Sequence, residues 1–110
     1  MALELEYAVV EPARVEIDTL DGPALLEFGS PGCGYCRAAQ PLVAAAMSAH
    51  PRVRHLKIAD GAGRPLGRSF RVTLWPTLVF LRDGSEAARL VRPADADVIG
   101  AALAQVDTAA

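Results

Sequence analysis

Cys33-Gly34-Tyr35-Cys36 holds the only two cysteines of a 110-residue chain. A pair closed by two residues would cross-link a very short loop and restrict the unfolded chain little, so it suits a bond that is made and broken rather than one that holds a fold. Upstream, Ala24-Leu25-Leu26-Glu27-Phe28 is nearly all apolar and has the length of a strand, while residues 38–49 are rich in helix formers. The cysteines therefore fall at a strand-to-helix crossing, with Cys33 at or just before the helix N-terminus. Unsatisfied backbone N–H groups and the helix dipole favour an anion there, which is the condition for a reactive thiolate. Arg37 adds a positive charge one residue beyond the motif. The glycines and proline of Gly29-Ser30-Pro31-Gly32 predict a surface loop, against a buried and inert pair.

Residues 1–110 fit one domain with a single core. A formal net charge of −2, with both signs interspersed and no basic run, argues against a nucleic-acid or membrane partner. The acidic start, Met1-Ala2-Leu3-Glu4-Leu5-Glu6, stands where a signal peptide would be basic and then apolar, so the expected location is the cytoplasm. Alternation over residues 3–10 predicts a half-buried first strand, and Pro12 opens a short helix with Val15 and Leu20 facing inward, ended by Asp21-Gly22-Pro23. After the cysteines, Leu42, Val43, Ala46 and Met47 supply a helical apolar face, and Pro41 is expected to kink or joint that helix. Residues 53–58 alternate as a strand, so strand, helix and strand make a parallel unit with a right-handed crossover.

Residues 60–70 read as a loop entering a short helical piece, and the continuous apolar run 78–81 as a central strand covered on both faces. Asp83-Gly84 turns that run into a hairpin with residues 86–91. A last helix begins near Pro93-Ala94-Asp95, with Asp95 and Asp97 in its first turn and Ile99, Ala102, Leu103 and Val106 on one stripe. The sum is an α/β layer sandwich, a mixed sheet of about five strands flanked by about four helices.

With Asp21-Gly22, Phe28, Cys33-Gly34-Tyr35-Cys36, Pro41, Trp75-Pro76-Thr77 and Asp83-Gly84 in this order and spacing, the chain resembles the thioredoxin family over about residues 20–106. The first twenty residues fit that family's extra N-terminal strand and helix, and residues 21–106 its core unit. The resemblance implies the thioredoxin fold and a thiol-disulfide oxidoreductase that reduces protein disulfides through a reversible Cys33/Cys36 cycle. Cys33 would be the exposed nucleophile and Cys36 the buried resolving thiol, with exchange running through a mixed disulfide. Pro76 resembles the family's cis-proline. Glu27 stands where the family pattern has a buried aspartate, which implies a proton relay to or from Cys36. His55 and Lys57, on one face of the next strand, are its candidate partners, and Arg37 is a further modulator.

The same resemblance implies no bound cofactor beyond the redox-active disulfide, oxidised protein or thiol substrates, a flavin- and NADPH-dependent thioredoxin reductase as electron donor, and a monomer. Four departures bear on specificity. Gly32 stands where many thioredoxins carry tryptophan, Trp75 where an aliphatic residue usually precedes the proline, and Arg92 where a glycine completes the docking surface. Gly34-Tyr35 replaces the usual Gly-Pro and looks like some periplasmic disulfide isomerases. Arg92 is expected to favour acidic or smaller partners. Isomerase or oxidase activity and a redox-inactive binding module are the alternatives. Cys33, Cys36, His50 and His55 also approach a zinc spacing, but Pro51 separates the histidines and the second falls on a strand, so no metal is expected.

Overall fold

The computed structural model describes residues 6–108. Its frame is β1 (Pro23–Gly29), from which every residue after Pro23 is buried. β1 is covered on both edges by strands and on both faces by helices, hence its apolar run. The other elements are α1 (Arg14–Asp18), α2 (Gly34–Met47), β2 (Arg54–Ala59), α3 (Pro65–Ser69), β3 (Thr77–Arg82), β4 (Ser85–Val91) and α4 (Ala96–Val106). The sheet order is β2-β1-β3-β4. β1 and β2 run parallel, with Leu25 opposite His55 and Glu27 opposite Lys57. β3 lies antiparallel on the other side, with Glu27 opposite Leu78, and pairs in turn with β4 across an irregularity at Phe80/Leu81.

Strand alternation divides the interior into two halves. Ala24, Leu26 and Phe28 of β1 join Ile17, Ile58, Leu66, Phe70, Val79 and Leu81 on the face covered by α1 and α3. Leu25, Leu78 and Phe80 meet Val43, Ala46 and Met47 of α2 and Ile99, Ala102, Leu103 and Val106 of α4 on the other. Glu27 and Gly29 belong by alternation to this second face, beneath the first turns of α2. Asp95 caps α4, its Oδ1 accepting from Val98 N at 2.9 Å. The C-terminal ends of α2 and α4 are tied through Asp107, which pairs with His50 Nδ1 at 2.7 Å and Arg52 at 2.8 Å.

Several expectations are corrected. Among the described residues the sheet has four strands, not about five. Of the first strand expected over residues 3–10, residues 3–5 lie outside the described residues, and residues 6–10 are bends and coil. Ala8 N donates to Lys57 O at 2.8 Å beside β2, but Val9 and Val10 are 95% and 81% exposed, so the chain beyond Ala8 has no buried face to extend a ladder. In α1 it is Ile17, not Val15, that turns inward; Val15 is exposed and Leu20 only half-buried. Pro41 lies inside one unbroken α2 rather than at a joint. Asp95 precedes α4 as its N-cap instead of occupying the first turn.

Candidate active site

The tight loop after β1 delivers Cys33 as the N-cap of α2, with extended φ and ψ of −86° and 118°. Its own N–H is held by Ser30 O at 3.1 Å, and its Sγ accepts from the backbone N–H of Cys36, also at 3.1 Å. An N-cap side chain normally satisfies one of the orphan N–H groups of the first turn. Here a sulfur takes that place, so a thiolate on Cys33 meets the positive end of the helix directly. Cys33 is half-buried and Cys36 is 2% exposed. Burial, then the hydrogen bond and charge of Cys33, pushes the Cys36 thiol up to about 11, against a backbone hydrogen bond from Ser30 and one from the Tyr7 hydroxyl. At neutral pH, Cys36 is therefore a thiol until something removes its proton.

Behind Cys36, the face between β1, β2 and α2 is polar where the rest of that core is apolar. Glu27 is fully buried, and its two carboxylate oxygens are held by His55 Nε2 at 2.8 Å and Gln40 Nε2 at 2.7 Å. Gln40 also donates to Cys36 O at 3.2 Å and accepts from Lys57 Nζ at 3.3 Å. Of the two expected partners of Glu27, His55 thus makes the direct contact, and Lys57 sits one residue further out, linked to Gln40. The Lys57 ammonium also lies 4.5 Å from the centre of the Tyr7 ring. A cavity of about 620 Å³ opens beside this network, lined by Glu6, Tyr7, Cys36, Arg37, Gln40 and Lys57 among others.

On the other rim, Trp75-Pro76 is a cis peptide leading into β3. Arg92 ties this loop to the motif: its N–H donates to Pro76 O at 3.0 Å, its Nε donates to Trp75 O at 2.9 Å, and its guanidinium lies 3.8 Å from the centre of the Tyr35 ring. Arg92 adopts a positive φ of 49°, so the backbone at this position has the conformation natural to a glycine. Trp75 Nε1 donates to Asp60 Oδ2 at 2.9 Å, which fixes the indole. Tyr35 is 60% exposed, and a side chain at Gly32 would meet no atom within 4 Å, so the flank of Cys33 is open. Arg37 reaches Pro31 O at 3.4 Å on the cavity side.

The structure brings Cys33, Cys36, Glu27, His55 and Lys57 into one connected region, and Tyr35, Trp75, Pro76 and Arg92 onto one rim. Four contributors were not legible in the sequence. Gln40 and Asp60 carry a weak signal at best, one four residues after Cys36 on a helix and the other at the end of β2. Gly29 and Tyr7 carry none; a Cβ on Gly29 would lie 2.7 Å from Cys36 Sγ and 2.8 Å from the Tyr7 hydroxyl oxygen. His50 lies in the loop after α2 and His55 on β2, engaged with Asp107 and Glu27 respectively.

A paired dithiol on a helix N-cap, one sulfur accessible and one buried, beside a cis-proline loop, defines a dithiol-disulfide exchange protein. The sequence pattern of the Thioredoxin family matches residues 9–105, and the chain belongs to that family. Thioredoxin 2 from Pseudomonas aeruginosa PAO1, solved in its reduced form, is 57% identical and superposes with a TM-score of 0.81 over 90% of this chain and 92% of its own. A thioredoxin from Chlamydia trachomatis is 34% identical over 77 residues, 69% of this chain and 74% of that protein. Protein disulfide-isomerase A2 from Pongo abelii is 46% identical over 68 residues, which are 57% of this chain and only 13% of that much longer protein.

Proposed function

We propose that this chain is a thiol-disulfide oxidoreductase that reduces disulfides of proteins or other oxidised thiols. The observation that carries the proposal is the difference between the two sulfurs: Cys33 on the helix N-cap with its flank open, and Cys36 buried and held protonated. The Cys33 thiolate attacks one sulfur of the substrate disulfide and expels the other as a thiolate. Cys36, once deprotonated, attacks Cys33 Sγ in the mixed disulfide, closing the Cys33–Cys36 disulfide and releasing the second substrate thiolate, which takes a proton. Glu27 is proposed as the acceptor that relays the Cys36 proton, with His55 and Gln40 holding its carboxylate in place. No metal or cofactor enters the cycle. A flavin- and NADPH-dependent thioredoxin reductase would regenerate the dithiol, the chain would act as a monomer, and the cytoplasm would supply the reducing setting.

Gly32, Gly34, Tyr35, Trp75, Pro76 and Arg92 form the proposed docking groove. An extended substrate pairing with the backbone at Trp75 meets Arg92 Nε on that carbonyl, and the guanidinium favours a substrate with an acidic residue beside its disulfide. Cys33→Ser is expected to abolish reduction of a protein disulfide, whereas Cys36→Ser accumulates the mixed disulfide; equal activity in either variant would sink the assignment. The match to a disulfide isomerase and the Gly34-Tyr35 pair favour a second reading, isomerase or oxidase work. The reduction potential separates the two: a value near roughly −270 mV marks a reductant, one near roughly −180 mV or above an isomerase or oxidase.

A further inference from the structure

Cys36 must lose a proton before it can resolve a mixed disulfide, and burial opposes that loss. Two hydrogen bonds pull the other way. One is to the Ser30 backbone; the other is to a side chain from outside the sheet-helix core, Tyr7. Tyr7 reaches Cys36 because Gly29, the last residue of β1 on the Glu27 face, has no side chain: a Cβ there would occupy the space that Sγ and the hydroxyl share. The Tyr7 ring is steadied by the Lys57 ammonium against it and by the Ala8 N to Lys57 O hydrogen bond of the next residue. Burial, then the charges of Cys36 and Glu27, pushes the Tyr7 hydroxyl well above its ordinary value, so it remains an O–H donor through the physiological range.

We propose that Tyr7 is a catalytic residue of the resolving step, its hydroxyl donating a hydrogen bond to Cys36 Sγ and stabilising the thiolate that attacks the mixed disulfide. The inference rests on the dithiol cycle above and assigns the residue that lets its buried partner ionise. Tyr7 keeps its own proton throughout; the Cys36 proton leaves toward Glu27 or the adjoining cavity. The charged groups facing the Tyr7–Cys36 pair are Glu27 from β1, Lys57 from β2, Arg37 and Cys33 from α2 and its cap, and Glu6 from the N-terminal segment. Lys57 acts in the same sense as Tyr7, while Glu27 and Cys33 oppose ionisation, so the hydroxyl is the neutral donor that works whatever their state.

Tyr7→Phe removes the hydroxyl and keeps the ring. Reduced protein is mixed in single turnover with an aromatic disulfide whose released thiolate absorbs visible light. Attack by Cys33 liberates the first equivalent and resolution by Cys36 the second. The variant should release the first equivalent at the wild-type rate and the second about tenfold more slowly at neutral pH, the low end for a hydrogen bond to a charged group. The deficit should close as the pH is raised. In a Cys33→Ser background, where Cys36 is the only thiol, its ultraviolet titration should move about one pH unit higher with phenylalanine at position 7. An unchanged second phase, or equal slowing of both phases, overturns the proposal. So does an unmoved titration, which decides the matter even if the wild type reduces no disulfide.

Discussion

Gly29→Ala adds a single methyl at the point where three chain segments meet. Its Cβ would lie 2.7 Å from Cys36 Sγ and 2.8 Å from the Tyr7 hydroxyl oxygen, each roughly 0.7 Å or more inside a relaxed contact of about 3.5 Å. Gly29 has no positive φ, so the conflict is one of space and not of backbone conformation. Cys36 is fixed in the first turn of α2, whereas Tyr7 borders the cavity and can retreat. The strain should therefore fall on the Tyr7–Cys36 hydrogen bond, with a loss of about 1–3 kcal/mol for overpacking. Each kcal/mol lowers Tm by roughly 4–8 °C in a domain of about this size. Gly32→Ala, three residues on, is the internal control: nothing lies within 4 Å of its Cβ, so it should be neutral or gain up to about 1 kcal/mol by restricting the unfolded chain. Thermal unfolding of both reduced variants, with mixed-disulfide resolution measured alongside, gives the comparison. Close packing at Gly29 is refuted if Gly29→Ala and Gly32→Ala unfold within about 0.5 kcal/mol of each other, or if Gly29→Ala resolves as fast as the wild type.

Glu27→Ala leaves His55 and the Gln40 amide without their buried partner, at roughly 1–3 kcal/mol for each; turnover at neutral pH should fall more than the first attack by Cys33, and a parallel fall of both would show that Glu27 is not a proton relay. The reduced protein should lose stability in alkali. Because the folded Cys36 thiol sits at about 11 against an ordinary 9.0, its contribution is complete below the lower value and lost as the pH rises through the higher. Chemical denaturation of the reduced wild type and of Cys36→Ala should thus converge between those values by about 2–3 kcal/mol, at 1.36 kcal/mol per unit. Arg92→Gly frees the Trp75 carbonyl and removes the charge over Tyr35; the ratio of kcat/KM for disulfide peptides with acidic against basic flanks should drop severalfold, and an unchanged ratio would remove Arg92 from substrate selection.

How much the sequence held depends on the range of the interaction. The two cysteines, the apolar run before them and the helix formers after them place a dithiol at a helix N-terminus through chain-local terms alone. The parallel β1–α2–β2 unit and the β3–β4 hairpin follow from the same local patterns. The acid in the middle of β1 marked Glu27 as unusual, because a charge amid apolar strand residues needs a partner. Its choice of His55 over Lys57 was not legible, since both lie on one face of β2 and only the packing of α2, with Gln40 between, decides which reaches the carboxylate. The alternating residues 3–10 suggested a strand because alternation is a local signal. Whether residues 6–10 carry it on depends on a buried face, and Val9 and Val10 have none. The remaining features are decided by approach in space between segments distant in sequence. Gly29 is needed because Tyr7 and Cys36 converge on it, Arg92 bridges Tyr35 and Trp75 across the groove, and Asp60 orients the indole. Chain-local patterns set which chemistry the protein carries and on which elements. Tertiary structure alone decided which groups tune that chemistry, because burial and hydrogen-bond partners arise only when the segments pack.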